Sequence, residues 1–129
     1  MIIADYERFI RVKESKIHGR GIFTSVDIPR GSYIMVIEGE VISGEECERR
    51  ENEEDNVYIF WNGDNYIDTV MTEKIKYINH KCSCNCEVLD KDESSLWLAA
   101  YRNIKAGEEL TIDYGYDEIY EYCKCSLCA

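Results

Sequence analysis

Nowhere do apolar residues run on for the ~18 positions that a membrane-crossing helix requires. A helical membrane span is therefore excluded. The start of the chain, Met1-Ile2-Ile3-Ala4-Asp5-Tyr6-Glu7, lacks basic residues followed by an apolar block, so no secretory signal is expected. An intracellular, reducing compartment follows, in which disulfides are rare. Basic residues are also scarce, 15 Lys and Arg against 26 Asp and Glu, for a net charge of −11. A phosphate backbone is normally gripped by clustered basic side chains, so direct nucleic-acid binding is not expected. Internal repeats, low-complexity linkers and room for long helices are missing as well.

What remains fits one domain. The chain has 129 residues, 45% of them apolar and interleaved with charges, enough to bury a core. Its character changes only from about Asp117, so a domain over 1–116 and a tail over 117–129 are expected. Much of the acidic charge falls between Glu45 and Asp55. Such a run serves as a solvated helix face or loop, or as a field that draws in a basic peptide.

Short strands separated by turns make the fold mainly β. Arg8 to Val12 and Gly21 to Thr24 are short strands joined by the polar loop from Ser15 to Arg20. Asp27-Ile28-Pro29-Arg30-Gly31 supplies a turn into the buried strand Tyr33 to Ile37. Ser43 followed by Glu46 has capping-box spacing and predicts a short acidic helix. Val57 to Trp61 and Tyr66 to Asp68 flank a hairpin turn, and one or two helical turns fit around Thr72 to Tyr77. Ser95 to Arg102 is the longest strand expected, with Glu109 to Ile112 following a turn.

Three constellations carry chemistry. In His18-Gly19-Arg20-Gly21, two glycines let the backbone approach a ligand closely, although a turn needing positive φ accounts for them equally well. The third glycine of a dinucleotide-binding fingerprint is absent. Tyr77-Ile78-Asn79-His80-Lys81-Cys82-Ser83-Cys84-Asn85-Cys86 gathers amide, imidazole and thiol groups more densely than core packing requires. Gly107-Glu108-Glu109-Leu110-Thr111-Ile112-Asp113-Tyr114-Gly115-Tyr116-Asp117 runs a strand end into two tyrosines around a glycine.

In this order the three closely resemble the SET-domain protein lysine methyltransferases, over about residues 8 to 128. The resemblance implies small curved sheets, a β-clip, with a C-terminal pseudoknot. It implies S-adenosylmethionine as methyl donor, bound by Gly19, Arg20 and Gly21 and by Asn79 and His80, with Lys76 and Tyr77 just upstream. Tyr114 matches the catalytic tyrosine, and Tyr58, Ile112 and Tyr116 match the lysine channel. Arg20 stands where an aromatic is usual between the glycines, and Ile37 where a tyrosine often precedes Gly39-Glu40. Ile112, two before Tyr114, carries no hydroxyl to restrain the amine, so methylation beyond one methyl is expected.

The family also explains the cysteines. Structural zinc takes four tetrahedral ligands, and Cys123, Cys125 and Cys128 of the tail supply three. In relatives with a post-SET segment the fourth is the cysteine of the Asn-His-x-Cys sequence, which is Cys82 here. The last spacing is shorter than usual and Cys84 replaces a proline, so Cys84 or Cys86 are further candidates. The partner implied is a basic protein, a histone tail above all. That places the chain in the nucleus if it is eukaryotic or acts on host chromatin, with a homodimer as a way to complete the groove. The competing reading is a degenerate SET domain that binds a peptide without methylating it.

Overall fold

The computed structural model describes residues 6–17, 19–54, 56, 58–63, 65–81 and 83–113. The expected tail over 117–129 lies outside the described residues, as do His18, Cys82, Tyr114 and Tyr116.

Isoleucine dominates the core, and its branched Cβ favours extended backbone. Among the described residues ten strands form three small sheets: β1 (Ile10–Glu14), β2 (Arg20–Thr24), β10 (Glu109–Ile112) and β7 (Asn79–His80); β3 (Tyr33–Glu38), β9 (Ser95–Ala100) and β8 (Cys86–Asp92); β4 (Glu40–Ile42), β6 (Asn65–Asp68) and β5 (Ile59–Asn62), each in that spatial order. All pairings are antiparallel except β10 with β7. Ile10, Ile22, Ile34, Ile37, Leu98 and Leu110 are fully buried where the sheets meet. Each such side chain contributes about 1.5–3 kcal/mol over leaving it in water. Ile28 and Ile104 exchange backbone hydrogen bonds of 2.8 and 2.9 Å, tying the Pro29 turn to the approach to β10.

This is the mainly β fold expected, with differences of detail that have local causes. The first strand begins at Ile10 because Glu7–Phe9 form a 3-10 turn, with Phe9 N donating to the Tyr6 carbonyl at 2.9 Å. The strand predicted to reach Arg102 ends at Ala100, where Tyr101 N turns to the Asn85 carbonyl at 2.8 Å. The longest strand is instead β8, at 7 residues. Its charged second half is exposed, which hides the strand from a search for alternation. The helical turns near Thr72 reduce to a 3-10 turn over Ile75–Tyr77.

Helix α1 (Gly44–Glu53) starts as its spacing predicts, with the Ser43 hydroxyl accepting from Glu46 N at 3.2 Å. Much of the acidic run is paired at home. Arg49 meets Glu46, Glu53 and Glu54, and Arg50 meets Glu46, Glu40 and Asp68. Among the described residues no helix is long and apolar enough to cross a membrane.

Candidate functional site

The three constellations are distant in sequence and adjacent in space. β2 carries Arg20 and Gly21, β7 is Asn79 and His80, and β10 lies bonded to both. Leu110 pairs with Ile22, Thr111 with Asn79, and Ile112 with His80. Lys81 N then donates to the Ile112 carbonyl at 3.1 Å, so the Asn-His segment and the strand leading to Tyr114 run side by side.

Asn79 is the hub. Its Nδ2 donates to the Arg20 carbonyl at 3.0 Å and to Glu109 Oε2 at 2.9 Å. Glu109 also accepts from the Ser15 hydroxyl, at 2.7 Å on Oε1 and 2.9 Å on Oε2. Ser15 N donates to the Gly19 carbonyl at 2.8 Å and closes the glycine loop. The two glycines differ in kind. Gly19 has φ +45°, a left-handed conformation that favours glycine, and a Cβ there would meet nothing within 4 Å. Among the described residues nothing fills the space beside it. A Cβ on Gly21 would lie 2.1 Å from Glu109 Oε2. Gly21 makes room for a side chain of its own chain.

A second amide supports β10. Asn85, 2% exposed, donates from Nδ2 to the Glu109 carbonyl at 2.8 Å and accepts from Thr111 N at 2.9 Å. Asn85, Ser15 and Glu109 have no place in the sequence-level assignment. Asn85 and Glu109 stand within the second and third constellations, where no role was read for either.

His80 is buried, with Nδ1 3.8 Å from Asp113 Oδ1. Lys76 Nζ donates to the Val70 carbonyl at 3.2 Å and lies over the Tyr77 ring, which packs against the core. Lys76 is thus engaged away from Asn79. Tyr58 sits beside the separate β4-β6-β5 sheet, its carbonyl accepting from Thr69 N and Oγ1 at 3.0 and 2.6 Å. Ile37 is buried in the core. A cavity of about 390 Å³ adjoins the end of β10, lined by Cys84, Val88, Tyr101, Ile112 and Asp113 among others.

Among the described residues no group of three or more His, Cys, Asp or Glu side chains forms a metal site. The cysteines expected to hold zinc fall outside them. Cys86 belongs to the core, and burial pushes its thiol up to about 12. Burial also raises the Cys84 thiol.

Residues 19–115 match the SET domain family. The chain belongs to the SET-domain family. It is 33% identical over 130 residues to the histone-lysine N-methyltransferase trithorax of Drosophila virilis, covering 94% of this chain and 3% of that protein. It is 34% identical over 122 residues to histone-lysine N-methyltransferase 2D of Homo sapiens, covering 88% of this chain and 2% of the relative. The chain thus spans a small part of the relatives it matches. Its fold is similar to that of a chain in the crystal structure of an active polycomb repressive complex 2 in the basal state. The TM-score there is 0.72 at 30% identity, over 82% of this chain and 15% of that one. For a SET domain, the bonded trio β2, β10 and β7 is the place where the family's sequence hallmarks converge.

Proposed function

We propose that this SET domain transfers methyl groups from S-adenosylmethionine to lysine ε-amines of a basic protein, with a histone tail at chromatin as substrate and more than one methyl as product. The observation that carries the reading is the convergence of Arg20, Asn79, His80 and Ile112 on β10 and the two strands that pair with it, β2 and β7. The names of the relatives, histone-lysine N-methyltransferases, supply the substrate class.

The described residues fit a methyl donor. Gly19 adjoins Arg20, whose carbonyl accepts from the buried Asn79 amide, and the buried His80 follows on the same strand. S-adenosylmethionine, when bound, supplies a methyl on a sulfonium. Gly19, Arg20, Asn79 and His80 hold it, and fixing both reactants in line is worth roughly 7–11 kcal/mol of the barrier in favourable cases. The lysine must react as the neutral amine although its unperturbed pKa is about 10.4. A narrow channel of Tyr58, Ile112 and Tyr116 disfavours the ammonium by desolvation. The Tyr114 hydroxyl orients the amine without acting as a strong base. Ile112 offers no hydroxyl to hold a partly methylated amine back.

A structural zinc on Cys82, Cys123, Cys125 and Cys128 belongs to the same reading. Four thiolates are a donor set that suits tetrahedral zinc, and such a clamp would pin the tail beside the donor site.

The test is methyl transfer from labelled S-adenosylmethionine to mixed core histones, with zinc present, comparing the wild type with Tyr114→Phe. Label in a histone band that the substitution abolishes is the expected result, and mass spectrometry should show dimethyl-lysine. Donor binding without transfer would favour a peptide-binding module. Absence of donor binding would overturn the proposal.

A further inference from the structure

We propose that Glu109 is a positioning residue of the methyl-donor site, a carboxylate that sets the Asn79 amide and the glycine loop in one arrangement. The inference rests on the methyl-donor reading above, and it gives a role to Glu109, a residue of the constellation from Gly107 to Asp117 that the reading leaves without one.

Hydrogen-bond accounting leads to it. A carboxamide nitrogen has two donors. On Asn79 one goes to the Arg20 carbonyl at 3.0 Å and the other to Glu109 Oε2 at 2.9 Å. With the nitrogen fixed on that side, the Asn79 carbonyl oxygen is directed to the opposite side. The orientation of the amide is thus decided by Glu109 and the loop together. An ionised carboxylate accepts at both oxygens and binds donors about twice as strongly as a neutral acceptor. Glu109 uses this capacity to take the Ser15 hydroxyl at 2.7 and 2.9 Å as well. Ser15 is the residue whose N–H closes the loop onto the Gly19 carbonyl. One side chain therefore joins the start of the loop, the strand after it and the Asn-His segment.

The same geometry reassigns Gly21. A Cβ at Gly21 would stand 2.1 Å from Glu109 Oε2, 2.7 Å from its Cδ and 3.1 Å from Asn79 Nδ2. The carboxylate is the end of a flexible side chain and would swing aside, but only by leaving Ser15 and Asn79. Alanine at Gly21 should therefore act by releasing Glu109, which makes glycine there a requirement of the carboxylate. Gly19, with open space around it, is the glycine left for the ligand.

The experiment uses the full chain with zinc, in four forms: wild type, Glu109→Ala, Gly21→Ala and the double variant, with Glu109→Gln as the conservative control. Calorimetry with S-adenosylmethionine reads donor affinity, and the side-chain amide resonances of Asn79 read the lock without any ligand. Glu109→Ala should weaken donor binding roughly 10–150-fold, the scale of one lost hydrogen bond to a charged group. It should also shift the Asn79 amide signals, and raise KM for the donor more than it lowers kcat. Glu109→Gln should recover part of the affinity, since its amide oxygen still accepts from Asn79 and the Ser15 hydroxyl can turn to accept. Gly21→Ala should resemble Glu109→Ala, and the double variant should be no worse than either alone. Unchanged Asn79 resonances in Glu109→Ala would overturn the proposal. So would a Gly21→Ala penalty that adds in full to that of Glu109→Ala. A wild type that binds no donor but whose Asn79 signals still respond would fault the methyl-donor reading and leave the Glu109 contact standing.

Discussion

Replacing Asn85 by alanine removes one side chain and orphans two backbone groups. The amide of Asn85 is 2% exposed and satisfies the Glu109 carbonyl at 2.8 Å and the Thr111 N–H at 2.9 Å. Each buried partner left without a hydrogen bond costs about 1–3 kcal/mol, so Asn85→Ala should destabilise the fold by about 2–5 kcal/mol. Against a total stability of ~5–15 kcal/mol this is a large fraction. At roughly 3–5 °C per kcal/mol for a chain of this size, the thermal midpoint should fall by about 6–25 °C. Circular dichroism melts measure the shift, and hydrogen exchange at the Thr111 amide localises it, since that amide should lose protection first. Asn85→Asp keeps an acceptor for Thr111 but sets oxygen against the Glu109 carbonyl, and should be at least as damaging as alanine. A midpoint within about 3 °C of wild type for both variants, with Thr111 still protected, would refute the assignment of Asn85 as the support of β10.

Acid should weaken the fold partly through Asp68. Burial favours its neutral form, but hydrogen bonds from Arg50, Val70 N and Asn56 outweigh burial and hold its carboxyl below the ordinary range. A folded pKa below the unfolded one gives stability that is present above about pH 4 and is lost as pH falls through the folded value. The melting midpoint of wild type should drop more steeply in that acid range than that of Asp68→Asn, and superimposable acid limbs would refute this. For the proposed zinc, a strong chelator should bring methyl transfer close to background while shifting the melting of the three sheets far less. Full turnover in a chelated sample would remove zinc from the mechanism.

Local pattern revealed most of the elements. Alternating apolar residues marked β2, a continuous apolar run marked β3, its preceding turn marked β10, the Ser43 and Glu46 spacing marked α1, and the turn over 62–65 marked the β5–β6 hairpin. β8 stayed hidden because only its first half meets the core. The segments that carry Arg20, Asn79, His80 and Ile112 stood out because each of the three constellations is contiguous in sequence. Their partners did not. Ser15 and Glu109 meet only when β1 and β10 flank β2, and no periodicity within either segment encodes that contact. Gly21 shows the same limit, since a glycine that accommodates a ligand and one that accommodates Glu109 are identical as letters. Lys76 was grouped with the site by proximity in sequence, yet the chain directs its ammonium to the Val70 carbonyl.

The position of β10 between β2 and β7 also bears on biosynthesis. A ribosome delivers the glycine loop early and the Asn-His segment midway, but the strand that joins them emerges only after β8 and β9 have been made. At roughly 5–20 residues per second, the incomplete chain spends seconds with Asn79 and the loop lacking their shared frame. Nascent and truncated products ending before Glu109 should consequently be blind to the methyl donor, however well their other sheets have formed.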